Sequence, residues 1–169
     1  MQTKNFESNI ILRKYQNSDI PFMQELYAST REQELAMTNF TLQEKQDFLS
    51  QQFSAQYLHY TKYYCLDAFN IVEHNGKDIG RFFVDYTGPD IRIVDIALIP
   101  SYRNRGIGSY LLRQLFRHAE LDNRSVSIHV EYNNPVRKLY QRLGFILKSK
   151  TNDIYLLMEW SPSANKILS

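Results

Sequence analysis

Apolar residues alternate with polar ones in some segments of the chain and recur at helical spacing in others. Alternation predicts strands at Ile10–Tyr15 and Val126–Val130, and the dipeptide Asn75-Gly76 is typical of a hairpin turn between two further strands. The segment Ile91–Ile99 is apolar on both alternating faces, which indicates a central strand. A last hairpin is predicted over Phe145–Trp160.

Helical spacing predicts four helices between these strands, over residues 19–30, about 41–60, 106–121 and about 135–143. Ser18 is placed to cap the first helix, and Thr41 with Glu44 forms a capping-box pattern at the start of the second. The order of elements is therefore β-α-α-β-β-β-α-β-α-β-β, which predicts a mixed α/β sheet with helices on its faces.

Composition narrows the class of protein. A length of 169 residues suits one domain, and a single cysteine, Cys65, excludes both an intramolecular disulfide and a multi-cysteine zinc site. The polar start Met1–Asn9 lacks the apolar core of a signal peptide, and no apolar run approaches the roughly 18 residues of a membrane span. We therefore expect a cytoplasmic, single-domain enzyme or binding module with no membrane partner and no metal.

The distribution of charge is more informative than the net charge of +2. Residues 103–142 carry 8 basic and 3 acidic groups, whereas residues 1–102 carry 9 basic and 13 acidic groups. The basic block could face an anion, although solvated helix faces explain the same pattern equally well. Because no nucleic-acid-binding motif accompanies the block, we expect no nucleic-acid partner.

A candidate anion-binding loop follows the central strand. The strand ends at Pro100, Arg103 and Arg105 lie in a short loop, and Gly106 and Gly108 open the next helix. Unpaired backbone N–H groups and the positive end of a helix favour an anion at such a point, and glycine lets a ligand approach the backbone closely. The loop lacks the Gly-Lys-Ser/Thr of a nucleotide P-loop and the third glycine of the dinucleotide fingerprint.

Two segments resemble the signatures of the Gcn5-related N-acetyltransferase (GNAT) superfamily. Arg103-Asn-Arg-Gly-Ile-Gly108 is similar to its Arg/Gln-x-x-Gly-x-Gly/Ala pattern. Asn133-Asn-Pro-Val-Arg-Lys-Leu-Tyr-Gln-Arg-Leu-Gly-Phe145 is similar to its second signature, with Val136 where the family usually has alanine. The signatures fall within residues 91–121 and 125–145, in the family's order and spacing. The resemblance implies one N-acetyltransferase domain over residues 1–169, with a mostly antiparallel sheet flanked by helices on both faces, the acyl-CoA N-acyltransferase type of fold.

The resemblance also implies acetyl-CoA as the acyl donor. In the superfamily the loop binds the coenzyme pyrophosphate, and the pantetheine arm runs along the preceding strand. A backbone N–H near Leu98 would then polarise the thioester carbonyl. The implied coenzyme-binding residues are Leu98, Ile99, Pro100, Arg103, Asn104, Arg105, Gly106, Ile107, Gly108, Ser109, Asn133 and Tyr140.

Catalytic roles are implied less completely. Tyr140 matches the superfamily tyrosine that meets the coenzyme sulfur, where it would donate a hydrogen bond to the departing thiolate; packing on a helix face is the alternative. Asp95, His129 and Glu131 are candidates for the base that takes the proton of the amine. A structural role for Asp95 or His129 is as well supported, and ordered water could replace a base, so none is assigned.

The resemblance implies an acyltransferase that moves a group other than an aminoacyl group, by direct transfer to a primary amine. The alternative is a non-catalytic acyl-CoA-binding module that senses or regulates. Glu34, His59 and Tyr60 are candidates for the acceptor pocket because acidic groups attract an ammonium ion, although helical spacing favours a core or dimer-contact stripe for the tyrosines of this helix. A homodimer is compatible with the superfamily. The sequence does not distinguish among a small-molecule, peptide or protein acceptor.

Overall fold

Strands and helices follow one another in the predicted order. The computed structural model describes residues 6–162. The elements are β1 (Ile10–Lys14), α1 (Ile20–Ala36), α2 (Leu42–Tyr63), β2 (Ala68–His74), β3 (Lys77–Asp85), β4 (Ile91–Leu98), α3 (Ile107–Asp122), β5 (Val126–Glu131), α4 (Arg137–Arg142), β6 (Ile146–Lys150) and β7 (Tyr155–Trp160).

The strands form one seven-stranded sheet in the order β1-β2-β3-β4-β5-β7-β6. Neighbouring strands run antiparallel except β4 and β5, which are parallel. The expected mixed, mostly antiparallel sheet is confirmed. Between β2 and β3, Asn75 (φ 50°) and Gly76 (φ 78°) both adopt the left-handed conformation that the predicted hairpin turn requires.

Local signals predicted the start of α2 correctly but misplaced that of α1. Thr41 Oγ1 accepts from the Glu44 N–H at 3.1 Å, and Glu44 Oε2 accepts from the Thr41 N–H at 3.0 Å, so the capping box is confirmed. The predicted cap at Ser18 is wrong, because Ser18 lies inside a 3-10 turn that ends at Asp19. Asp19 precedes α1, and its carboxylate pairs with Arg13 at 2.7 Å.

Helices cover both faces of the sheet, as predicted. The adjacent β2 residues Ile71 and Val72 point to opposite faces, and both are fully buried. Ile71 belongs to a core that α1 and α2 close. Phe53, Tyr57 and Tyr60 of α2, which recur at helical spacing, pack in this core. Val72 belongs to the larger core, which six residues of α3 and Tyr140 of α4 complete.

The two parallel strands diverge at the centre of the sheet. β4 and β5 pair only over Ile91–Ile93 and Val126–Ile128. β4 then follows β3 as far as Leu98, and β5 follows β7 as far as Glu131. The register between β3 and β4 shifts at Val94, which marks a bulge where β4 turns away from β5. A gap therefore opens between their C-terminal ends, beside the loop that leads into α3.

Candidate active site

The gap exposes backbone groups of β4 that no strand pairs. The Ile99 N–H donates to the Ile79 carbonyl at 2.8 Å. Because hydrogen-bonded and non-hydrogen-bonded positions alternate in an antiparallel pair, the N–H and C=O of Leu98 point away from β3, toward the gap. The Leu98 N–H can therefore meet a ligand. The Ile99 N–H, by contrast, is used by β3, and Pro100 has no N–H, so neither of these implied coenzyme-binding residues offers a backbone donor.

The loop before α3 presents backbone N–H groups to solvent. Gly106, the residue that precedes α3, adopts a left-handed conformation (φ 84°), as does Asn104 (φ 59°). No side chain caps α3, so its first N–H groups are left for a ligand. Apart from its chain neighbours and the backbone of its own helical turn, a Cβ added at Gly108 would meet no described atom within 4 Å, so there is open space next to this backbone. The geometry fits a diphosphate.

The two arginines of this loop have different surroundings. Arg103 is half-buried; its Nε donates to the Leu98 carbonyl at 2.8 Å and its Nη2 to Ser29 Oγ at 3.0 Å. Arg105 is exposed, with its guanidinium 5.2 Å from the centre of the Tyr102 ring. Arg105 therefore lies at the loop surface, and the half-buried Arg103 binds two oxygens of the protein.

Tyr140 projects from α4 into the larger core. It is 5% exposed, and its ring centre lies 5.6 Å from that of Phe145. Burial, and to a smaller extent the negative charge of Asp95, raises the pKa of Tyr140 above its usual value. No hydrogen bond joins its hydroxyl to another of the residues that the structure describes. The side chain is therefore a neutral donor, in the same electrostatic environment as Asp95.

Asp95 is held at the gap by two neighbours. Its Oδ2 forms an ion pair with the Arg81 guanidinium from β3 and accepts from the Tyr60 hydroxyl at 3.3 Å. Arg81 also donates to Gln56 Oε1 at 3.2 Å. Burial, followed by the charge of Asp95, raises the pKa of Tyr60. Because 19% of the Asp95 side chain is exposed, its carboxylate combines fixed partners with access from the gap.

Arg81 is the member of this cluster that sequence reasoning missed. It is 3% exposed, although it is charged, and its Nε is buried without a partner among the described residues. The sequence does contain a signal for this residue, because Arg81 is the one charged residue within the apolar segment Ile79–Val84. A buried charge requires a partner of opposite sign. The sequence does not show that the partner is Asp95, since that depends on the register of β3 and β4.

On β5, the surroundings of His129 disfavour it as a base. His129 Nδ1 lies 2.7 Å from Arg92 Nη1. Since arginine only donates hydrogen bonds, Nδ1 accepts and the ring proton is assigned to Nε2. Burial, followed by the charge of Arg92, lowers the pKa of His129, so the ring is neutral but its basic nitrogen is occupied. Glu131 is exposed and stays a candidate.

Of the three predicted acceptor residues, the structure brings only Tyr60 into contact with Asp95. Glu34 is exposed and pairs with Arg31 at 2.9 Å. His59 is also exposed, with its ring centre 4.8 Å from that of Tyr63.

Asn133 is exposed in the loop between β5 and α4. The neighbouring Asn134, not Asn133, shapes this loop, because Asn134 Oδ1 accepts from the Val136 N–H at 3.0 Å. The Asn133 side chain is therefore not required for the turn that leads into α4.

Residues 65–147 match the family model described as an acetyltransferase (GNAT) domain. These residues include the loop before α3, the gap and Tyr140. No curated protein sequence matches the chain significantly. Within residues 6–162, none of the helices combines the length and the hydropathy that crossing a membrane requires.

Solved structures of acetyltransferases share the fold. The PaiA N-acetyltransferase from Thermoplasma acidophilum, solved with coenzyme A, is 17% identical and superimposes with a TM-score of 0.66 over 90% of this chain and 98% of that one. The ribosomal-protein-S18-alanine N-acetyltransferase from Escherichia coli is 18% identical, with a TM-score of 0.59 over 90% of this chain and 93% of that one. At these identities, the likeness describes the fold.

Proposed function

The chain belongs to the Gcn5-related N-acetyltransferase superfamily, and we propose that it transfers an acetyl group from acetyl-CoA directly to the primary amine of an acceptor. The observation that carries this proposal is the gap between β4 and β5, where the unused Leu98 N–H and the partly exposed Asp95 carboxylate lie on one strand. Tyr140 supports the proposal, because its hydroxyl is neutral and the charge of Asp95 contributes to its raised pKa.

We infer that the loop before α3 and the edge of β4 hold the coenzyme. The backbone N–H groups from Asn104 to Ser109 would bind the diphosphate, since the Arg103 N–H already donates to the Pro100 carbonyl. The exposed Arg105 would add a charge-assisted hydrogen bond. The Leu98 N–H and Asn133 would meet the pantetheine arm. Space beside Gly108 and the unused donor of Leu98 support this assignment.

The proposed reaction forms one bond and breaks another. The acceptor nitrogen attacks the thioester carbonyl carbon, the C–S bond breaks, and its electron pair stays on sulfur. The Leu98 N–H stabilises charge that builds on the carbonyl oxygen. Tyr140 donates a hydrogen bond to the sulfur. Because its pKa is raised while that of a thiol is about 8.5, Tyr140 keeps its proton. After attack the nitrogen releases its second proton to solvent, and the thiolate takes up a proton from solvent.

Asp95 is our candidate for the group that receives the amine. Acceptor amines are ammonium ions near neutral pH, and a carboxylate at the gap attracts them. The carboxylate would accept the amine proton, directly or through water, before attack. Arg81 and Tyr60 support this role by holding Oδ2 in place. A buried ion pair by itself contributes little to stability, which favours a role for this one in the site.

The proposal is tested by thiol release from acetyl-CoA with a panel of amines. The panel contains a polyamine, an aminoglycoside, amino acids, peptides with different N-termini and a lysine-containing peptide with a blocked N-terminus. A blank without acetyl-CoA corrects for Cys65, the one protein thiol. Mass spectrometry of the acceptor confirms that the acetyl group arrives on nitrogen.

We expect amine-dependent thiol release that is lost in Gly108→Asp and slowed in Tyr140→Phe. Tight acetyl-CoA binding without release for any amine would contradict catalysis and favour a regulatory acyl-CoA-binding module. Release that is independent of the amine would instead indicate thioester hydrolysis.

A further inference from the structure

Arg103 joins the loop before α3 to the end of the preceding strand, β4, and to the distant helix α1. Its Nε donates to the Leu98 carbonyl at the end of β4, and its Nη2 donates to Ser29 Oγ in α1, at 2.8 and 3.0 Å. Ser29 is 74 residues away in sequence. One half-buried guanidinium thus contacts the wall of the gap, on which we placed the thioester, and the helix on the acceptor side.

The direction of the second bond is unambiguous. Ser29 Oγ donates its own proton to the Leu26 carbonyl at 2.6 Å, so the hydroxyl can only accept from Arg103. Leu26 is 1% exposed and belongs to the interior of α1. The chain of bonds therefore runs from the loop, through a hydroxyl, into the backbone of a buried helical turn.

The first bond decides what Leu98 offers to a ligand. Both the N–H and the C=O of Leu98 point toward the gap, where β5 has diverged and no strand pairs them. Arg103 occupies the carbonyl. Among the described residues, the Leu98 N–H is then the unused group of this residue at the gap. It lies in the peptide group before the Leu98 Cα, and the bonded carbonyl lies in the peptide group after it, so Arg103 holds the strand end directly beside this N–H.

We propose that Arg103 is a positioning residue and that the charge for the coenzyme phosphates comes from Arg105 and the backbone. Arg103 orients the end of β4, and with it the Leu98 N–H, against α1. The proposal rests on the proposed function, since the oriented N–H matters for a thioester at the gap. It assigns different roles to two arginines of one motif, because Arg105 is exposed whereas Arg103 is half-buried and bonded to the end of β4 and to α1.

The test compares four variants and one control variant by two measurements. Arg103→Ala, Ser29→Ala and their combination remove the contact, Arg105→Ala removes the exposed charge, and Arg117→Ala, exposed on α3, is the charge-matched control. Calorimetry gives the dissociation constant of coenzyme A at several salt concentrations. Steady-state kinetics with an acceptor from the panel gives kcat and KM. Circular dichroism checks the fold, and Ser29→Ala provides the milder change where Arg103→Ala lowers stability.

We expect Arg105→Ala to reduce the salt dependence of coenzyme affinity, because an exposed ion pair is screened by salt. Arg103→Ala should keep the salt dependence of Arg117→Ala and lower kcat roughly 10- to 100-fold through misplacement of the reacting groups. Ser29→Ala should lower kcat in the same way by a smaller factor. The combined variant should be no slower than Arg103→Ala, since both changes remove one contact.

Two results would overturn the proposal. Arg103→Ala could flatten the salt dependence as Arg105→Ala does, which would make it a phosphate ligand. The kcat losses of Arg103→Ala and Ser29→Ala could also multiply, which would show that they act separately. Failure of the proposed function looks different, because the unmodified protein would then bind no coenzyme A or would acetylate no amine.

Discussion

Replacing Tyr140 with phenylalanine separates catalysis from packing in this protein. The variant keeps the ring, which packs against Phe145 and the core between the sheet and α3, and removes one oxygen. In the described structure that oxygen has no hydrogen-bond partner, so no protein group is left unsatisfied. The free energy of unfolding should therefore change by no more than about 0.5 kcal/mol.

The expected loss of rate follows from the charge on the leaving group. A hydrogen bond to a charged group contributes about 1.5–3 kcal/mol, which corresponds to a roughly 10- to 150-fold lower rate when the bond is lost only in the transition state. Because the pKa of Tyr140 is raised above its usual value, its hydroxyl remains a donor throughout the neutral range. The ratio of the two rates should therefore be constant with pH below about 9.

Three measurements that compare Tyr140→Phe with the unmodified protein test this reasoning. Single-turnover thiol release reports the chemical step, calorimetry reports coenzyme affinity, and urea unfolding reports stability. Tyr86→Phe is the matched control, because Tyr86 follows β3 at the end of the sheet away from Leu98 and is 40% exposed. The control should match the unmodified protein in rate.

A Tyr140→Phe variant with unchanged single-turnover rate would refute the catalytic role. A variant that lost rate and stability together would point to packing instead. Equal losses of coenzyme affinity and rate would mean that the hydroxyl binds the ground state. Only a loss of rate at unchanged affinity and stability agrees with the proposed role.

Three further predictions concern the loop, the ion pair and the buried tyrosines. Gly108→Asp should abolish coenzyme A binding by calorimetry while circular dichroism stays unchanged, because the added side chain meets open space. Asp95→Asn should lower the free energy of unfolding, measured with urea, by about 3–5 kcal/mol, since Arg81 loses its counter-charge. Adding Arg81→Met to this variant should restore part of the lost stability. Burial raises the pKa of Tyr60 and Tyr140 in the folded protein, so these tyrosines ionise first in the unfolded chain. The free energy of unfolding should therefore fall above pH about 10, by about 1.4 kcal/mol per pH unit for each tyrosine. Urea titrations at pH 9 to 11 should show a shallower fall for Tyr60→Phe than for the unmodified protein.

Local interactions account for what could be predicted from the amino-acid sequence. The capping box at Thr41 and the turn at Asn75-Gly76 involve residues within one turn of chain, so their patterns appear directly in the sequence. The loop that ends at Gly106 is equally local, because its left-handed glycine and its unpaired N–H groups belong to neighbouring residues. The predicted cap at Ser18 is wrong because it ignored a contact between elements: Asp19 forms an ion pair with Arg13 of β1.

Tertiary structure alone decided how the chemical groups are paired. The divergence of β4 and β5, the ion pair of Arg81 with Asp95 and the contact of Arg103 with Ser29 each join elements that are separate in the chain. Strand register and helix packing select such partners, and no spacing rule within the sequence encodes them. The sequence therefore determined the order of elements and the loop before α3. The fold decided which arginine faces solvent, which carboxylate is held at the gap and which histidine nitrogen is occupied.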